Sequence, residues 1–276
     1  MQSAEMDTAV VQPVGTRAGV PREDKESAQI SIVMPCLNEE AGIAQCIMWA
    51  HEGLDRAGLP GEIIVADNGS SDRSREIARA AGAEVVVQPL RGYGNAYHKG
   101  FAASSGRYIV MGDADQTYDF REIDRLIEPL RQGYDYVLGS RFRGNILPGA
   151  MPWTHRYIGN PVLTFILNLL FGLKSSDAHS GLRAFTREAY LRMGLTSPGM
   201  EFASELVIKA AEANLRVAEV PITYYPRAGS SKLNAVRDAW RHVRFMVAYR
   251  FGRAPHVHVP VATSSLRLEP EDDANK

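Results

Sequence analysis

The chain has 276 residues, of which 45% are hydrophobic and 23% are charged, so it can form one large α/β domain or two small ones. Its two cysteines, Cys36 and Cys46, exclude a disulfide-stapled fold and indicate a reducing compartment. The net charge of −1 hides an asymmetry, because residues 1–140 carry a net charge of −8 and residues 141–253 a net charge of +9. A basic half suits phosphate groups or an anionic membrane surface.

Residues 30–140 alternate strand and helix patterns, which is typical of a parallel sheet with crossover helices. Strands are expected at 30–34, 62–67, 83–87, 107–112 and 134–140. We expect Pro35 to stop the first strand. A first helix is expected at 40–56, and a second from a cap at Ser71 or Asp72 to residue 81. A third should follow the capping-box spacing of Asp119 and Glu122 and end at residue 131.

After Arg141 the alternation ends. Residues 141–160 are rich in glycine, proline and arginine, which predicts a functional loop. Helices are expected at 160–172, 187–193 and 202–213, and a strand at 215–224 that Pro221 places at a sheet edge. A final helix at 234–250 mixes aromatic residues with arginines, which suits a membrane surface and equally a helix packed on the core with its arginines outward.

The ends of the chain and its membrane relation can also be predicted. Residues 1–27 and 254–276 are polar and aperiodic, which predicts disordered tails around one domain at 28–253. No signal-peptide pattern opens the chain. The longest apolar run, residues 162–171, is shorter than the roughly 18 residues that span a bilayer. We therefore expect a cytoplasmic protein without a transmembrane helix, and we expect no nucleic-acid partner because no binding module is recognisable.

Two carboxylates, Asp113 and Asp115, follow the fourth predicted strand. If the chain stays extended through Ala114, both side chains point to the same side. Carboxylate oxygens suit a divalent cation that holds a phosphorylated ligand, and ligands of open α/β sheets bind beyond the carboxyl ends of the strands. A simple turn after a strand explains the pair equally well.

Other polar groups are expected near the same sheet edge. Asp67 ends the second strand and could accept hydrogen bonds from a base or ribose, or could only stabilise the turn that follows. Residues 91–100 (RGYGNAYHKG) form a glycine-rich loop at a helix start, where backbone amides could approach phosphates. The loop matches neither the dinucleotide fingerprint nor the P-loop.

Two basic turns lie in the second half of the chain. Residues 177–183 place Asp177 and Arg183 around a glycine turn, and residues 227–233 place Arg227 and Lys232 around hydroxyl groups. Arginine and lysine form charge-assisted hydrogen bonds with phosphates, so these turns could bind a phosphate. A solvated basic loop is the alternative.

Taken together, these motifs resemble the family-2 inverting glycosyltransferases, in particular the dolichol- and polyprenol-phosphate sugar synthases. The matching segments are residues 34–40, 65–72, 91–100, 113–115, 139–142, 177–183 and 227–232. The resemblance implies an α/β fold of the GT-A type, a Rossmann-like and mostly parallel sheet flanked by helices, with interfacial helices towards the C-terminus. It also implies that residues 28–140 form a nucleotide-sugar half and residues 141–253 an acceptor- and membrane-facing half.

The resemblance also assigns roles to individual residues. Donor-binding residues would be Pro35, Asn38, Glu39, Asp67, Gly92, Asp113 and Ala114. Residues that bind the acceptor or its phosphate would be Arg141, Arg183, Arg227, Ser230 and Lys232. Mg²⁺ or Mn²⁺ would be held by Asp113, Asp115 and, less securely, Gln116. The catalytic residues would be Asp113, Asp115, Arg141 and Asp177.

The resemblance implies that a hexose is moved from a nucleotide-sugar to a polyprenyl or dolichyl phosphate at the cytoplasmic face of a membrane. UDP-glucose is the favoured donor and GDP-mannose the next, because mannosyltransferase-like members often carry glutamine two residues after the second aspartate, whereas Gln116 follows Asp115 directly. A soluble or glycan acceptor remains an alternative. Metal-dependent nucleotidyl transfer is another, although residues 34–40 lack the lysine- and glycine-rich loop expected for a triphosphate.

Overall fold

The computed structural model describes residues 30–229 and 235–252 of the chain. Within these residues, seven strands form one sheet in the order β3-β2-β1-β4-β6-β5-β7. The strands are β1 Ile30–Cys36, β2 Gly61–Asp67, β3 Glu84–Val87, β4 Tyr108–Met111, β5 Tyr136–Ile146, β6 Arg183–Thr186 and β7 Val217–Tyr224. The predicted tails, as well as Ser230 and Lys232, lie outside the described residues.

Helices cover both faces of the sheet. They are α1 Ile43–Ala57, α2 Ser74–Ala80, α3 Tyr93–Ala103, α4 Ile123–Arg131, α5 Asn160–Phe171, α6 Arg187–Met193, α7 Phe202–Glu212 and α8 Ala235–Arg250. A 3-10 turn at Phe120–Glu122 precedes α4, and a π-helical turn at His155–Gly159 precedes α5. The Asp119 carboxylate accepts the backbone N–H of Arg121 at 2.9 Å, as the predicted cap requires.

The first half of the sheet is parallel, as predicted. Strand β1 pairs in parallel with β2 and with β4, and β2 pairs in parallel with β3. The carboxyl ends of β1, β2 and β4 therefore meet at one edge. The prediction that Pro35 stops β1 is wrong, because Pro35 and Cys36 continue the pairing with β2. Pairing with β4 ends at Val33, so Pro35 has a strand on one side, where its missing N–H is tolerated.

The second half of the sheet contains one strand that the sequence analysis missed. The four-residue strand β6 lies between β4 and β5 and is antiparallel to both. Strand β5 runs to Ile146, so the first part of the predicted loop at 141–160 is extended β-structure. Strand β7 lies at the sheet edge beside β5, as Pro221 indicated.

Three apolar clusters hold these layers together. The first packs α1 and α4 on one face of the sheet, with Ile47 and Leu126 fully buried. The second packs α3, α6 and α7 on the opposite face around Phe101 and Phe202. The third joins α5, α7 and α8, with Met246 of α8 fully buried. No helix in the described part of the chain has the length and apolar character that crossing a membrane requires.

Candidate active site

The loops that follow β1 and β2 bind each other and form one wall of the site. The Asn38 backbone donates to Ser70 Oγ at 2.9 Å, and the Asn38 carbonyl oxygen Oδ1 accepts the Ser71 N–H at 2.7 Å. The Glu39 N–H donates to Ser74 Oγ at 2.8 Å. The predicted donor-binding residues Asn38 and Glu39 are thus held beside the carboxyl end of β2.

Asp67 stabilises the turn at the end of β2. Its fully buried carboxylate accepts the backbone N–H groups of Gly69, at 3.1 Å, and Ser70, at 3.2 Å. Arg75 lies 3.8 Å from the same carboxylate. These contacts match the turn interpretation of Asp67. In the structure its carboxylate is bonded to the protein.

The aspartate pair follows β4, as predicted, but the chain bends over residues 114–117 rather than staying extended. The two carboxylates nevertheless interact. Burial, followed by the negative charge of Asp115, raises the pKa of Asp113 to about 7. Tyr93 donates its hydroxyl to Asp113 Oδ1 at 3.0 Å. Burial and then the charge of Asp113 raise the pKa of Tyr93 well above its usual value, so this phenol stays a hydrogen-bond donor.

Asp115 contacts the loop that carries Arg227. Its carboxylate accepts the Thr117 N–H at 3.0 Å on one oxygen, and Arg227 Nη2 lies 2.8 Å from the other. The same guanidinium lies 3.6 Å from Glu39. The backbone of Ala228 donates to the Asp115 carbonyl at 2.9 Å. The structure therefore brings Arg227 to the aspartate pair.

Gln116 faces α1 and not the aspartates. Its φ of 65° is left-handed, its backbone N–H donates to Cys46 Sγ at 3.3 Å, and its side-chain amide donates to the Gly42 carbonyl at 3.5 Å. These contacts give no support to the predicted metal role of Gln116. They anchor the loop after Asp115 on α1.

The glycine-rich segment at 91–100 is held by contacts within the protein. The Gly92 N–H donates to Asn68 Oδ1 at 2.8 Å, and the Asn95 N–H donates to the Pro198 carbonyl at 3.0 Å. A Cβ at Gly92 would lie 2.2 Å from the Pro198 carbonyl oxygen, and one at Gly94 would lie 2.0 Å from that of Ser197. The glycines therefore let the loop at 195–199 approach α3. The amides of Gly92 and Asn95 are bonded within the protein, and the approach of this segment to a donor phosphate stays a prediction.

Arg141 and Asp177 form a buried, two-pronged ion pair. Arg141 Nε and Nη2 each lie 2.7 Å from an Asp177 carboxylate oxygen, and the Arg141 N–H donates to the same carboxylate at 3.0 Å. The guanidinium lies 5.2 Å from the ring centre of Tyr224. Burial opposes the charge of Arg141, but Asp177 holds its pKa well above the usual value. The two predicted catalytic residues are thus brought together with Arg141 fully charged.

Arg183 is fully buried, and its predicted contact with an acceptor phosphate is not supported. Its guanidinium donates to the carbonyls of Ser180, at 2.7 Å, and of Ala178 and Ala203, at 3.0 Å each. It also donates to the Tyr136 hydroxyl at 3.0 Å. Arg183 therefore fixes the loop that follows Asp177.

Residues 31–194 match the family model described as Glycosyl transferase family 2. The chain belongs to that family. It is 50% identical over 219 residues to the low-salt glycan biosynthesis hexosyltransferase Agl6 of Haloferax volcanii, a match that covers 79% of this chain and 53% of Agl6. It is 33% identical over 207 residues to a dolichyl-phosphate hexose transferase of the same organism, covering 74% of this chain and 85% of that protein. The chain thus spans about half the length of Agl6.

Solved structures support the same family. Glucosyl-3-phosphoglycerate synthase of Mycobacterium tuberculosis, in complex with Mn²⁺ and UDP-glucose, superposes with a TM-score of 0.65 at 28% identity, over 83% of this chain and 81% of that one. The predicted GT-A type of fold is confirmed by this likeness.

The carboxylates of Asp113 and Asp115 could bind a metal ion together with a bound ligand. Within the described residues, no group of three or more His, Cys, Asp or Glu side chains could hold a metal. Asp113 and Asp115 offer two carboxylates whose charges repel. A magnesium-like ion binds through one or two carboxylates together with substrate phosphates. The pair therefore fits a metal bound jointly with a diphosphate, and not a closed protein cage.

The structure of this glycosyltransferase also shows two positions that the sequence analysis overlooked. Tyr93 contacts Asp113, although the motif drew attention to its glycines. Glu219 of β7 is 1% exposed, accepts hydrogen bonds from Ser175 and Ser176, and lies 3.0 Å from Arg143. A charged residue within an apolar strand pattern was the available signal for Glu219. The glycine spacing gave no signal for Tyr93.

Proposed function

We propose that this member of glycosyl transferase family 2 moves a hexose, with inversion at the anomeric carbon, from a nucleotide-sugar to a polyprenyl or dolichyl phosphate at a membrane surface. UDP-glucose is the favoured donor and GDP-mannose the second. The likeness to a solved enzyme that holds UDP-glucose and Mn²⁺ supports the first. The 33% identity to a dolichyl-phosphate hexose transferase supports the lipid acceptor.

The observation that carries the lipid acceptor is an apolar surface on two helices, which we call the α5–α8 surface. Four apolar side chains on the π-helical turn and α5 are each about half exposed or more: Ile158, Val162, Phe165 and Leu169. Their spacing places them on one stripe of the helix. The stripe on α8 and just beyond it consists of Trp240, Arg244, Val247 and Phe251. These four residues border a common groove. Clusters of exposed apolar residues of this kind mark an interaction site, and arginine among the apolar groups suits anionic lipid.

The α5–α8 surface connects to the buried ion pair through one short loop. The Asn168 side chain on α5 donates to the Ser175 carbonyl at 2.8 Å and accepts the Ser175 N–H at 3.1 Å. Asp177, the partner of Arg141, lies two residues further along the chain. A lipid that lies along α5 would therefore have its phosphate delivered towards Arg141.

The mechanism we propose depends on charge and positioning. A bound Mg²⁺ or Mn²⁺ would be held by Asp113 and Asp115 and would neutralise the charge of the departing diphosphate. Arg227 lies beside Asp115 and adds positive charge at the same place. Asp177 holds Arg141 so that its guanidinium keeps one orientation next to the acceptor.

No strong general base is required for this transfer. A phosphate monoester has a second pKa of about 6 and is therefore largely ionised at neutral pH. Its oxygen can attack the anomeric carbon directly once the two substrates are aligned, and alignment then accounts for most of the rate.

A soluble phosphorylated acceptor is the second candidate. The structural neighbour, glucosyl-3-phosphoglycerate synthase, has been solved with phosphoglyceric acid. The experiment that separates the two uses the full chain, Mg²⁺ or Mn²⁺, and a panel of UDP- and GDP-hexoses. Each donor is incubated with polyprenyl phosphate in vesicles or with 3-phosphoglycerate, and products are identified by mass. We expect a hexosyl-phospho-polyprenol from UDP-glucose. Product from 3-phosphoglycerate alone would contradict the lipid acceptor.

A further inference from the structure

The glycine-rich segment at 91–100 contributes a side chain to the aspartate pair. Tyr93 is the first residue of α3. Its hydroxyl donates to Asp113 Oδ1 at 3.0 Å. The amides of Gly92 and Asn95 bond elsewhere within the protein, and the Tyr93 side chain gives this segment a hydrogen bond to the aspartate pair.

The ring of Tyr93 is fixed by its aromatic neighbours. It packs edge-on against Tyr97, with ring centres 5.0 Å apart, and against Phe202 of α7, with ring centres 6.5 Å apart. Edge-to-face pairs at these distances are favourable beyond simple burial. The hydroxyl therefore has little freedom to leave Asp113.

The start of α3 is itself held by α7. The carbonyls of Ser197 and Pro198 lie so close to Gly94 and Gly92 that no side chain fits at either glycine. The loop that carries these carbonyls is fixed by Glu205, which is 1% exposed. A run of contacts thus joins α7 in the second half of the chain to a carboxylate in the first half.

Glu205 fixes that loop through three hydrogen bonds. Its carboxylate accepts the Thr196 N–H at 2.9 Å, the Thr196 hydroxyl at 3.0 Å and the Ser197 N–H at 2.8 Å. Hydrogen bonds to a buried charged group are stronger than those between neutral groups. The loop is therefore a rigid support for Gly92, Gly94 and the tyrosine between them.

We propose that Tyr93 is a positioning residue that holds the Asp113 carboxylate in the orientation needed to bind a divalent cation with the donor diphosphate. Gly92 and Gly94 have no side chain, so the loop at 195–199 can pack against the start of α3 and hold Tyr93 in place. This inference rests on the metal site of the proposed function. Groups that orient a metal ligand typically change metal affinity about 10- to 100-fold when they are removed.

The test compares two matched tyrosine variants of the full chain. Tyr93→Phe removes the hydroxyl that contacts Asp113. Tyr190→Phe removes a hydroxyl from the same aromatic cluster, in which the Tyr190 ring packs on Phe101 and Phe185. The Mn²⁺ dissociation constant is measured with UDP present, from the electron paramagnetic resonance signal of free Mn²⁺. The melting temperature of each protein is recorded without metal.

We expect Tyr93→Phe to raise the Mn²⁺ dissociation constant about tenfold, with a melting temperature close to that of the wild type. Tyr190→Phe should leave the dissociation constant within about twofold of the wild type, because Tyr190 lies on α6 and the described contacts of Asp113 and Asp115 come from other elements. Equal Mn²⁺ affinity in Tyr93→Phe and wild type would overturn the inference alone. Equal losses of Mn²⁺ affinity in both variants would overturn the inference, because the aromatic cluster as a whole and not the Tyr93 hydroxyl would then support metal binding. A wild type that binds no Mn²⁺ with UDP would overturn the metal site and the inference together.

Discussion

Asp115 is the residue on which most of the proposed chemistry depends. It is 4% exposed, and its two carboxylate oxygens contact Thr117 and Arg227. Arg227 belongs to the second half of the chain, so this one carboxylate connects the two halves at the site. The spacing of the two aspartates predicted that Asp115 lies at the site, and the structure shows that Arg227 contacts it.

Asp115→Asn keeps the shape of the side chain and removes its charge. We expect transfer to fall about 10²- to 10³-fold, the usual cost of losing one preorganised electrostatic group, with little change in circular dichroism. Initial rates at saturating donor measure this loss. Asp55→Asn, at an exposed position on α1, is the control. A variant Asp115→Asn that transfers hexose at the wild-type rate would remove the carboxylate from the mechanism.

The two cysteines give a prediction about the native core. Burial is the largest cause that raises the pKa of Cys36 to about 11 and that of Cys46 to about 12. At pH 8 about one Cys36 thiol in a thousand is ionised, and the thiolate is the reactive form. We expect neither thiol to react with iodoacetamide at pH 8 until the protein is unfolded. Intact mass shows the outcome, and rapid labelling of the native protein would contradict the packing of α1.

Sequence patterns located some site residues better than others. Asp113, Asp115 and Arg227 could be predicted to lie near the sheet edge because strand ends and loops place them there. Arg183 could not, because an arginine in a glycine turn looks like a ligand contact until β6 is known to bury it. Gln116 was similarly undetermined, since its left-handed backbone and its contact with α1 depend on tertiary structure.

At the scale of elements, α5 and α8 pack in an apolar cluster that is separate from the two clusters on the faces of the sheet. Their inner residues pack with α7 in a separate apolar cluster, and their outer residues form the α5–α8 surface. The sequence left two interpretations of the last helix open. The structure shows buried Met246 and exposed Trp240 on it, so the helix packs on the core and also presents apolar groups outward.

A pair of equally exposed leucines tests the α5–α8 surface. Leu169 on α5 and Leu191 on α6 are each 70% exposed, but only the first belongs to the surface. Leu169→Glu should weaken binding to anionic vesicles about tenfold, since it removes an apolar side chain and adds a negative charge. Leu191→Glu should change vesicle binding by less than about twofold. Co-sedimentation with vesicles measures both, and equal losses would contradict this surface as the membrane contact.

The sequence predicted helices and strands correctly where the apolar pattern was regular. It failed where contacts with other parts of the fold determine the local structure. The helices at 187–193 and 160–171 agree with their predicted bounds to within one residue. Strand β6 was missed because four residues that begin with arginine carry too little apolar pattern. The glycines before α3 suggested a phosphate cradle, and only the loop at 195–199 shows why they are there.

At the scale of the whole molecule, α8 is joined to the site region by a buried histidine. His242 is 6% exposed, its Nδ1 lies 2.8 Å from Ser204 Oγ, and its ring contacts that of His179, which follows Asp177 by two residues. Burial, opposed by Asp238 and aided by Arg183 and Arg241, lowers the pKa of His242 to about 4. The folded protein therefore keeps this histidine neutral.

The stability of the protein should consequently depend on pH in a defined window. Because the folded-state pKa of His242 lies below the unfolded value of about 6.5, unfolding takes up a proton between these values. The stability that neutral His242 contributes is therefore lost as pH falls from about 6.5 to about 4. We expect His242→Asn to flatten this part of the urea-unfolding free energy against pH. The exposed His51→Asn should retain the wild-type slope, and an unchanged slope in His242→Asn would contradict the burial of this ring.

Hexose transfer to a lipid phosphate is the claim that the α5–α8 surface, the Arg141–Asp177 pair and the aspartate pair jointly support. One competition assay tests it most directly. The full chain, Mn²⁺ and UDP-glucose are incubated with equal concentrations of polyprenyl phosphate in anionic vesicles and 3-phosphoglycerate, and both products are quantified by mass. We predict that hexosyl-phospho-polyprenol dominates, and that Leu169→Glu lowers its share. Hexose found only on 3-phosphoglycerate would contradict the account.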